Sequence, residues 1–122
     1  MQKIEGYTMK LNRGDCLRFT LKLKNEDGSF YTFQNTDKII FSVYNKNKMN
    51  EKALLIKEVD AVSGTDSIEI NCTSEDTTIG EMMNKPVEYW YEVELNGEYT
   101  VIGYDDDGAK ILMLYPEGSK LQ

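Results

Sequence analysis

The feature that most constrains this chain is an apolar residue at every second position, repeated in segment after segment. Leu17, Phe19 and Leu21 alternate with polar residues, so an extended segment here has one apolar and one polar face. The same period of two recurs at 68–72 and at 87–95. Such alternation is typical of antiparallel strands that cover a core on one side and face water on the other. It predicts a chain built mainly from strands.

Turn-forming residues separate these apolar runs. Asn96-Gly97 is the strongest hairpin signal, because a two-residue turn with positive φ at both positions favours that dipeptide. Many short strands spaced by about 8 to 12 residues favour a sandwich or barrel over a fold with helical crossovers. We predict strands at 8–11, 16–24, 30–33, 38–44, 54–59, 67–72, 87–95, 99–104 and 111–115.

The segment 74–84 breaks this pattern. Ser74 is a helix-capping residue followed by acidic residues, and Pro86 ends any helix that begins there. We therefore predict one short helical turn, with Ile79 and a methionine, Met82 or Met83, closing the open end of the core.

The whole chain is short enough for a single core. A domain of 122 residues buries roughly two-thirds of the surface that its unfolded chain exposes. We predict one domain over 1–122, with its core between residues 8 and 115. The predicted fold class is all-β, an antiparallel β-sandwich of about seven to nine strands.

The charge balance limits the classes of partner. The net charge is −7, from 21 acidic and 14 basic residues, which opposes binding to nucleic acid or to an anionic bilayer. No apolar run approaches the roughly 18 residues of a membrane-spanning helix. The first six residues lack the apolar stretch of a secretory signal peptide, so we expect synthesis in the cytoplasm.

Few residues offer catalytic chemistry. The chain contains no histidine, which excludes the Ser-His-Asp and Cys-His arrangements. Three consecutive acids at 105–107 lack the alternate spacing of a calcium loop, so we interpret them as a solvated hairpin tip. An enzyme that uses paired carboxylates stays a third hypothesis. We predict no enzymatic activity, no catalytic residues, no cofactor and no metal.

The two cysteines invite a disulfide hypothesis. Cys16 lies on the polar phase of its predicted strand, and Cys72 lies on the apolar phase. The expected compartment is reducing, and no CxxC motif is present. We therefore predict two free thiols.

Trp90 occupies the polar phase of the segment 87–95, together with glutamates and opposite to the predicted core side. It is either exposed or covered by a neighbouring segment. Tyr44 takes the outward phase beside Ile40 and joins Trp90 in one patch if their strands pair. Exposed aromatic side chains are frequent in protein interfaces and in carbohydrate platforms. The candidate interface is therefore Trp90, Tyr44 and Ile40.

Five short motifs carry a resemblance to a known group of proteins: 13–19 (RGDCLRF), 27–31 (DGSFY), 37–43 (DKIIFSV), 75–77 (EDT) and 89–93 (YWYEV). Their order resembles that in small phage and prophage virion proteins, including the N-terminal domain of phage baseplate upper proteins. The resemblance implies an immunoglobulin-like sandwich that is assembled into a virion in the bacterial host cytoplasm. It also implies several copies of the chain and contacts with other virion proteins.

Two functions follow as expectations. The first is a phage or prophage structural protein, a tail or baseplate component or adaptor, that acts through protein–protein contacts and forms a homo-oligomer. The alternative is a carbohydrate-binding module that stacks sugar rings on an exposed aromatic face.

Overall fold

The structure is a computed structural model that describes residues 2–81 and 84–117. Nearly all regular structure in this part of the chain is β-strand, which confirms the all-β class. No helix within the described ranges is long and apolar enough to cross a membrane. Nine strands are present there: β1 (Lys3–Glu5), β2 (Thr8–Asn12), β3 (Leu17–Leu21), β4 (Lys38–Asn45), β5 (Leu55–Asp60), β6 (Ile68–Cys72), β7 (Val87–Leu95), β8 (Tyr99–Ile102) and β9 (Lys110–Tyr115).

The strands form a large sheet and a small sheet. The large sheet has the order β1-β2-β9-β7-β4-β5, and β8 also pairs with β7. One half of β7 pairs with β9, and its other half pairs with β8 across a bulge between Val93 and Glu94. The small sheet consists of β3 and β6, which run antiparallel.

The two sheets share one core, because each turns its apolar phase toward the other. In β6, Ile68, Ile70 and Cys72 are buried, while the intervening residues are exposed. The rings of Phe19 in the small sheet and Phe41 in the large sheet lie edge to face, with centroids 5.3 Å apart. The largest fully buried side chains are Tyr91, Phe33, Phe41, Leu11, Leu17, Ile39, Ile70, Leu112 and Leu114.

One predicted strand, 30–33, is absent as regular structure. Phe30 makes a single bridge to Lys24, and the backbone then leaves the sheet. The N–H of Phe33 bonds the carbonyl of Thr65 in a loop at 2.8 Å, and the Phe33 ring is fully buried. Phe33 fills the core from a crossover between the sheets, whereas Phe30 stays 45% exposed. Period-two reasoning does not distinguish such a crossover from a strand. The strand predicted at 16–24 is shorter than expected, and β1 was not predicted.

The prediction of a wholly antiparallel arrangement is wrong at one strand pair. β2 runs parallel to β9, with Met9 opposite Leu112 and Leu11 opposite Leu114. A parallel pair needs a long connection, and most of the chain lies between these two strands. Apolar alternation is the same in both pairings, so the sequence pattern carries no information on this direction.

The predicted helical turn is present as a single hydrogen-bonded turn rather than a helix. The Thr77 N–H donates to the Thr73 carbonyl at 3.2 Å. Thr73 and Asp76 cap each other, since each side chain accepts the backbone N–H of the other. The cap is therefore Thr73, one residue before the predicted Ser74. Ile79 is buried in the core as expected, whereas Met82 and Met83 lie outside the described residues.

Candidate interface on the large sheet

The outer face of the large sheet, which points away from the small sheet, holds the aromatic residues that the sequence pattern singled out. The pairing of β4 with β7 places Tyr44 directly opposite Trp90. Side chains opposite each other in an antiparallel pair lie on one face of the sheet, about 5 Å apart at Cβ. Both residues are partly buried. Tyr44 and Trp90 therefore lie in one patch, as expected.

Neighbouring glutamates accept hydrogen bonds from both aromatic side chains. The indole N–H of Trp90 donates to the Glu88 carboxylate at 2.9 Å. The hydroxyl of Tyr44 donates to Oε1 of Glu92 at 3.1 Å. These bonds satisfy the polar atoms of both rings and restrict their rotamers. The pair therefore presents an ordered surface that loses little conformational entropy when it is covered.

Tyr104 completes this cluster, and sequence reasoning missed it. It follows β8, and its ring lies 5.8 Å from that of Trp90 at an angle of 50° while 65% of the residue stays exposed. The preceding Gly103 allows this approach, because a Cβ there would lie 2.6 Å from Cγ2 of Thr100. The glycine before an aromatic residue was the available signal. We call Tyr44, Trp90 and Tyr104 the aromatic patch.

Ile40 lies apart from the aromatic patch. It is opposite Glu58 on β5 and Glu94 on β7, four residues along β4 from Tyr44. That spacing corresponds to roughly 13 Å. The residue between them on this face, Ser42, is buried. Ile40 therefore belongs to the charged end of the outer face rather than to the patch.

The electrostatic environment of the patch is acidic. Burial, followed by the nearby Glu94 charge, raises the pKa of Glu92, although its bond with Tyr44 acts in the opposite direction. Burial, together with the Glu92 charge, raises the pKa of the Tyr44 hydroxyl. Lys46 pairs with Glu88 at 3.8 Å, whereas no ion pair within the described residues neutralises Glu92 or Glu94. A partner surface with apolar area at the centre and basic groups at the rim therefore complements the patch, whereas a contact between two copies needs salt to screen the glutamates.

The remaining candidates for chemistry occupy ordinary structural positions. The carboxylate of Asp105 accepts bonds from the Lys110 ammonium at 2.7 Å and from the Asp107 N–H at 2.9 Å. The Lys110 bond is the main reason that the pKa of Asp105 is lowered. Across residues 2–81 and 84–117, no group of three His, Cys, Asp or Glu side chains is arranged to hold a metal ion. Cys16 is exposed and Cys72 is buried, as their phases predicted.

Comparison with known proteins assigns no family. No family model matches this chain, and no curated protein matches it.

Proposed function

We propose that this chain is a non-enzymatic structural protein of a phage or prophage virion, a tail or baseplate component or adaptor. It acts through protein–protein contacts, and its partners are further copies of itself and other virion proteins. The motif resemblance supports the virion assignment, and the aromatic patch supports action through contacts. The observation that carries the proposal is the Tyr44–Trp90 pair, held in place by two glutamates on an open sheet face.

We further propose that the fold is an immunoglobulin-like sandwich. In that architecture, strands B and E belong to one sheet, and strands G, F, C and C′ are neighbours in the other. The order β9-β7-β4-β5 and the separate pair β3-β6 support this proposal, because they match the neighbours G, F, C and C′ and the pair B and E. Four connections, β2 to β3, β3 to β4, β5 to β6 and β6 to β7, then join the two sheets. β2, which runs parallel to β9, and the edge strand β1 extend the large sheet beyond these four strands.

The aromatic patch is suited to be the centre of a contact between copies. Trp and Tyr dominate the energetics of protein interfaces, because they bury a large area with few rotatable bonds. In a twofold contact the same patch serves both subunits, so the rings of Trp90 and Tyr104 would pack against their equivalents. The surrounding glutamates repel each other across such a contact, and salt therefore strengthens it.

The experiment is light scattering coupled to size-exclusion chromatography over a range of protein and salt concentrations. We expect an oligomer that dissociates in Trp90→Ala and in Tyr104→Ala. Tyr99→Ala is the matched control, because Tyr99 is 63% exposed but lies opposite Leu95, off the outer face. A wild-type chain that stays monomeric at high concentration and high salt contradicts self-association.

The virion assignment has a separate test. Density-gradient-purified particles from an induced lysogen that carries the gene are probed with an antibody against the chain. We expect the protein to copurify with tails at a fixed stoichiometry. Its complete recovery in the particle-free fraction contradicts the assignment.

The carbohydrate-binding hypothesis is the second candidate, because Tyr104 is largely exposed beside Trp90 and acidic groups surround both rings. It predicts glycan binding that Trp90→Ala abolishes and Tyr99→Ala preserves. A glycan array without signal at high protein concentration, together with an oligomer that depends on Trp90, favours the structural function.

A further inference from the structure

The small sheet has an open edge on the side of β3 that faces away from β6. Among the described strands, β6 alone pairs with β3. The side-chain amide of Gln2 covers one position of the open edge. Its Oε1 accepts the Arg18 N–H at 2.8 Å, and its Nε2 donates to the Arg18 carbonyl. The backbone of Arg18 therefore faces away from β6.

The same geometry fixes where the next backbone groups point. In an extended strand, the N–H and C=O of alternate residues point to the same edge. Thr20 and Lys22 therefore direct their backbone groups to the open edge, beyond the position that Gln2 covers. The carbonyl of Leu23, an odd-numbered residue, points to the other edge of the strand, the edge that faces β6. It accepts the Tyr31 N–H there at 2.7 Å. No backbone hydrogen bond of the described residues occupies the open edge at Thr20.

This open edge borders a groove. A cavity of about 620 Å³ lies beside it, with Leu21 and Leu23 on the β3 side and Tyr7, Val101 and Ile102 on the opposite side. Two smaller cavities, of about 210 and 240 Å³, share Tyr7 and Ile102 with it and extend the groove. The groove therefore combines unpaired backbone groups with an apolar lining, which is the combination that an added β-strand requires.

The charges along the open edge specify the occupant. Lys22 and Lys24 point outward from the same strand face as Arg18, and their ammonium groups lie 4.9 and 5.9 Å from the Phe30 ring centroid. Neither lysine belongs to an ion pair of the described residues. In a chain of net charge −7, this is a local cationic row. Opposite charges directly across an antiparallel pair stabilise it.

We propose that this groove binds an extended segment of a partner protein, which pairs with β3 as the third strand of the small sheet. The segment alternates apolar residues, which enter the groove, with acidic residues, which lie across from Lys22 and Lys24. Beyond the position that Gln2 covers, the open edge from Thr20 to Lys24 is roughly 14 Å long and accommodates a segment of about five residues. This proposal does not depend on Tyr44 or Trp90, neither of which lines the groove; of the aromatic patch, Tyr104 lines one of the two smaller cavities.

A second copy of this chain is a poorer occupant. If two β3 strands paired antiparallel about Thr20, Arg18 of each copy would lie opposite Lys22 of the other. Like charges directly opposite destabilise a strand pair. The positive row therefore selects against self-pairing and in favour of an acidic strand.

The test uses the full chain and synthetic eight-residue peptides that alternate Glu with Val, Leu, Ile or Tyr. Amide hydrogen exchange is followed by NMR during titration. We expect binding that slows exchange at the N–H groups of Thr20 and Lys22, while exchange at Trp90 stays unchanged. Lys22→Glu and Lys24→Glu each weaken the binding of these peptides by about threefold, and they strengthen the binding of peptides with Lys in place of Glu.

The matched variant is Thr20→Pro, which removes the N–H on the open edge and leaves the ladder to β6 intact. We expect a cooperative unfolding transition like that of the wild type and loss of peptide binding. Unchanged exchange at Thr20 up to millimolar peptide overturns the proposal, as does full binding by Thr20→Pro. Protection of Thr20 without peptide in a chromatographic dimer also overturns it, in favour of pairing between copies.

Discussion

The carboxylate of Asp37 accepts a hydrogen bond from the side-chain amide of Asn96 at 3.0 Å, across 59 positions of the chain. Oδ1 of Asn96 in turn accepts the N–H of Lys38 at 2.8 Å. The other carboxylate oxygen of Asp37 accepts the Tyr31 hydroxyl at 2.5 Å and the Gln34 N–H at 2.8 Å. Asp37 therefore joins the crossover between the sheets to the β7–β8 turn, immediately before β4 begins.

Substitution Asp37→Ala tests this junction. Asp37 is 5% exposed, and its loss removes the shared acceptor of three donors, two of which belong to the exposed residues Gln34 and Asn96. We expect destabilisation of about 2 kcal/mol, measured by urea unfolding. Asp106→Ala is the matched control, since Asp106 is exposed on a loop and should change stability by less than about 0.5 kcal/mol. Equal effects of the two substitutions contradict a structural role for the Asp37 bonds.

Acid should weaken the same junction. Hydrogen bonds from Asn96, then Tyr31, then the Gln34 backbone lower the pKa of Asp37 in the folded chain. A lowered folded-state pKa contributes stability above the unfolded value of about 3.9, and this stability is lost as pH falls through the folded-state pKa.

The comparison variant is Asp37→Asn, which does not titrate. The wild type should be more stable than Asp37→Asn at pH 7, and the difference should shrink below about pH 4. Urea unfolding of both proteins at pH 7, 5, 4 and 3 measures this difference. The other acidic residues titrate in both proteins, so their contributions cancel in the difference between the two unfolding free energies. A difference that is constant over this range contradicts the assignment.

Local sequence signals predicted much of this fold, whereas long-range contacts escaped them. The turn at Asn96-Gly97 follows from two residues, and both have the positive φ that the dipeptide implies, 57° and 69°. The bond between Asn96 and Asp37 joins residues whose proximity depends on the whole sheet order. The strand predicted around Phe33 is wrong for a related reason. An apolar residue suits a strand and a core-filling crossover equally well, so the local pattern does not separate the two.

The candidate site shows the same division. The phase of Trp90 and Tyr44 follows from period-two alternation, and their pairing follows once the register of β4 and β7 is known. The same register separates Ile40 from them. Tyr104 reaches Trp90 because the backbone at Gly103 lies close to Thr100, a contact set by tertiary packing. A periodic pattern assigns faces, but not which residues meet along a face.

The two cysteines should react at very different rates. Burial, the largest cause, raises the pKa of Cys72 from 9.0 to about 11. This lowers its thiolate fraction about a hundredfold at pH 8, and the thiolate is the reactive form. Ellman's reagent should therefore modify one thiol per native chain, the exposed Cys16, and two in denaturant. Cys16→Ser should abolish the native reaction. Rapid modification of two thiols in the native chain contradicts the burial of Cys72.

Gly80 should tolerate no side chain. Its φ is +69°, and an added Cβ would lie 2.2 Å from the hydroxyl oxygen of Tyr89. We expect Gly80→Ala to destabilise the chain by about 3 kcal/mol, from a strained backbone and a clash with a buried ring. Gly28→Ala is the control, since φ is +89° there but no atom lies within 4 Å, and strain alone costs about 1 kcal/mol.

A double variant separates the clash at Gly80 from the backbone strain. Tyr89→Phe removes the oxygen that the new Cβ meets, although the ring carbon Cζ still lies 3.3 Å from it. The combination with Gly80→Ala should therefore recover about 1 kcal/mol relative to the sum of the single effects, measured as a double-mutant cycle by urea unfolding. If the free energies of the two single variants simply added, the whole cost of Gly80→Ala would come from backbone strain. The Tyr89 ring would then move aside without cost when the Cβ is added.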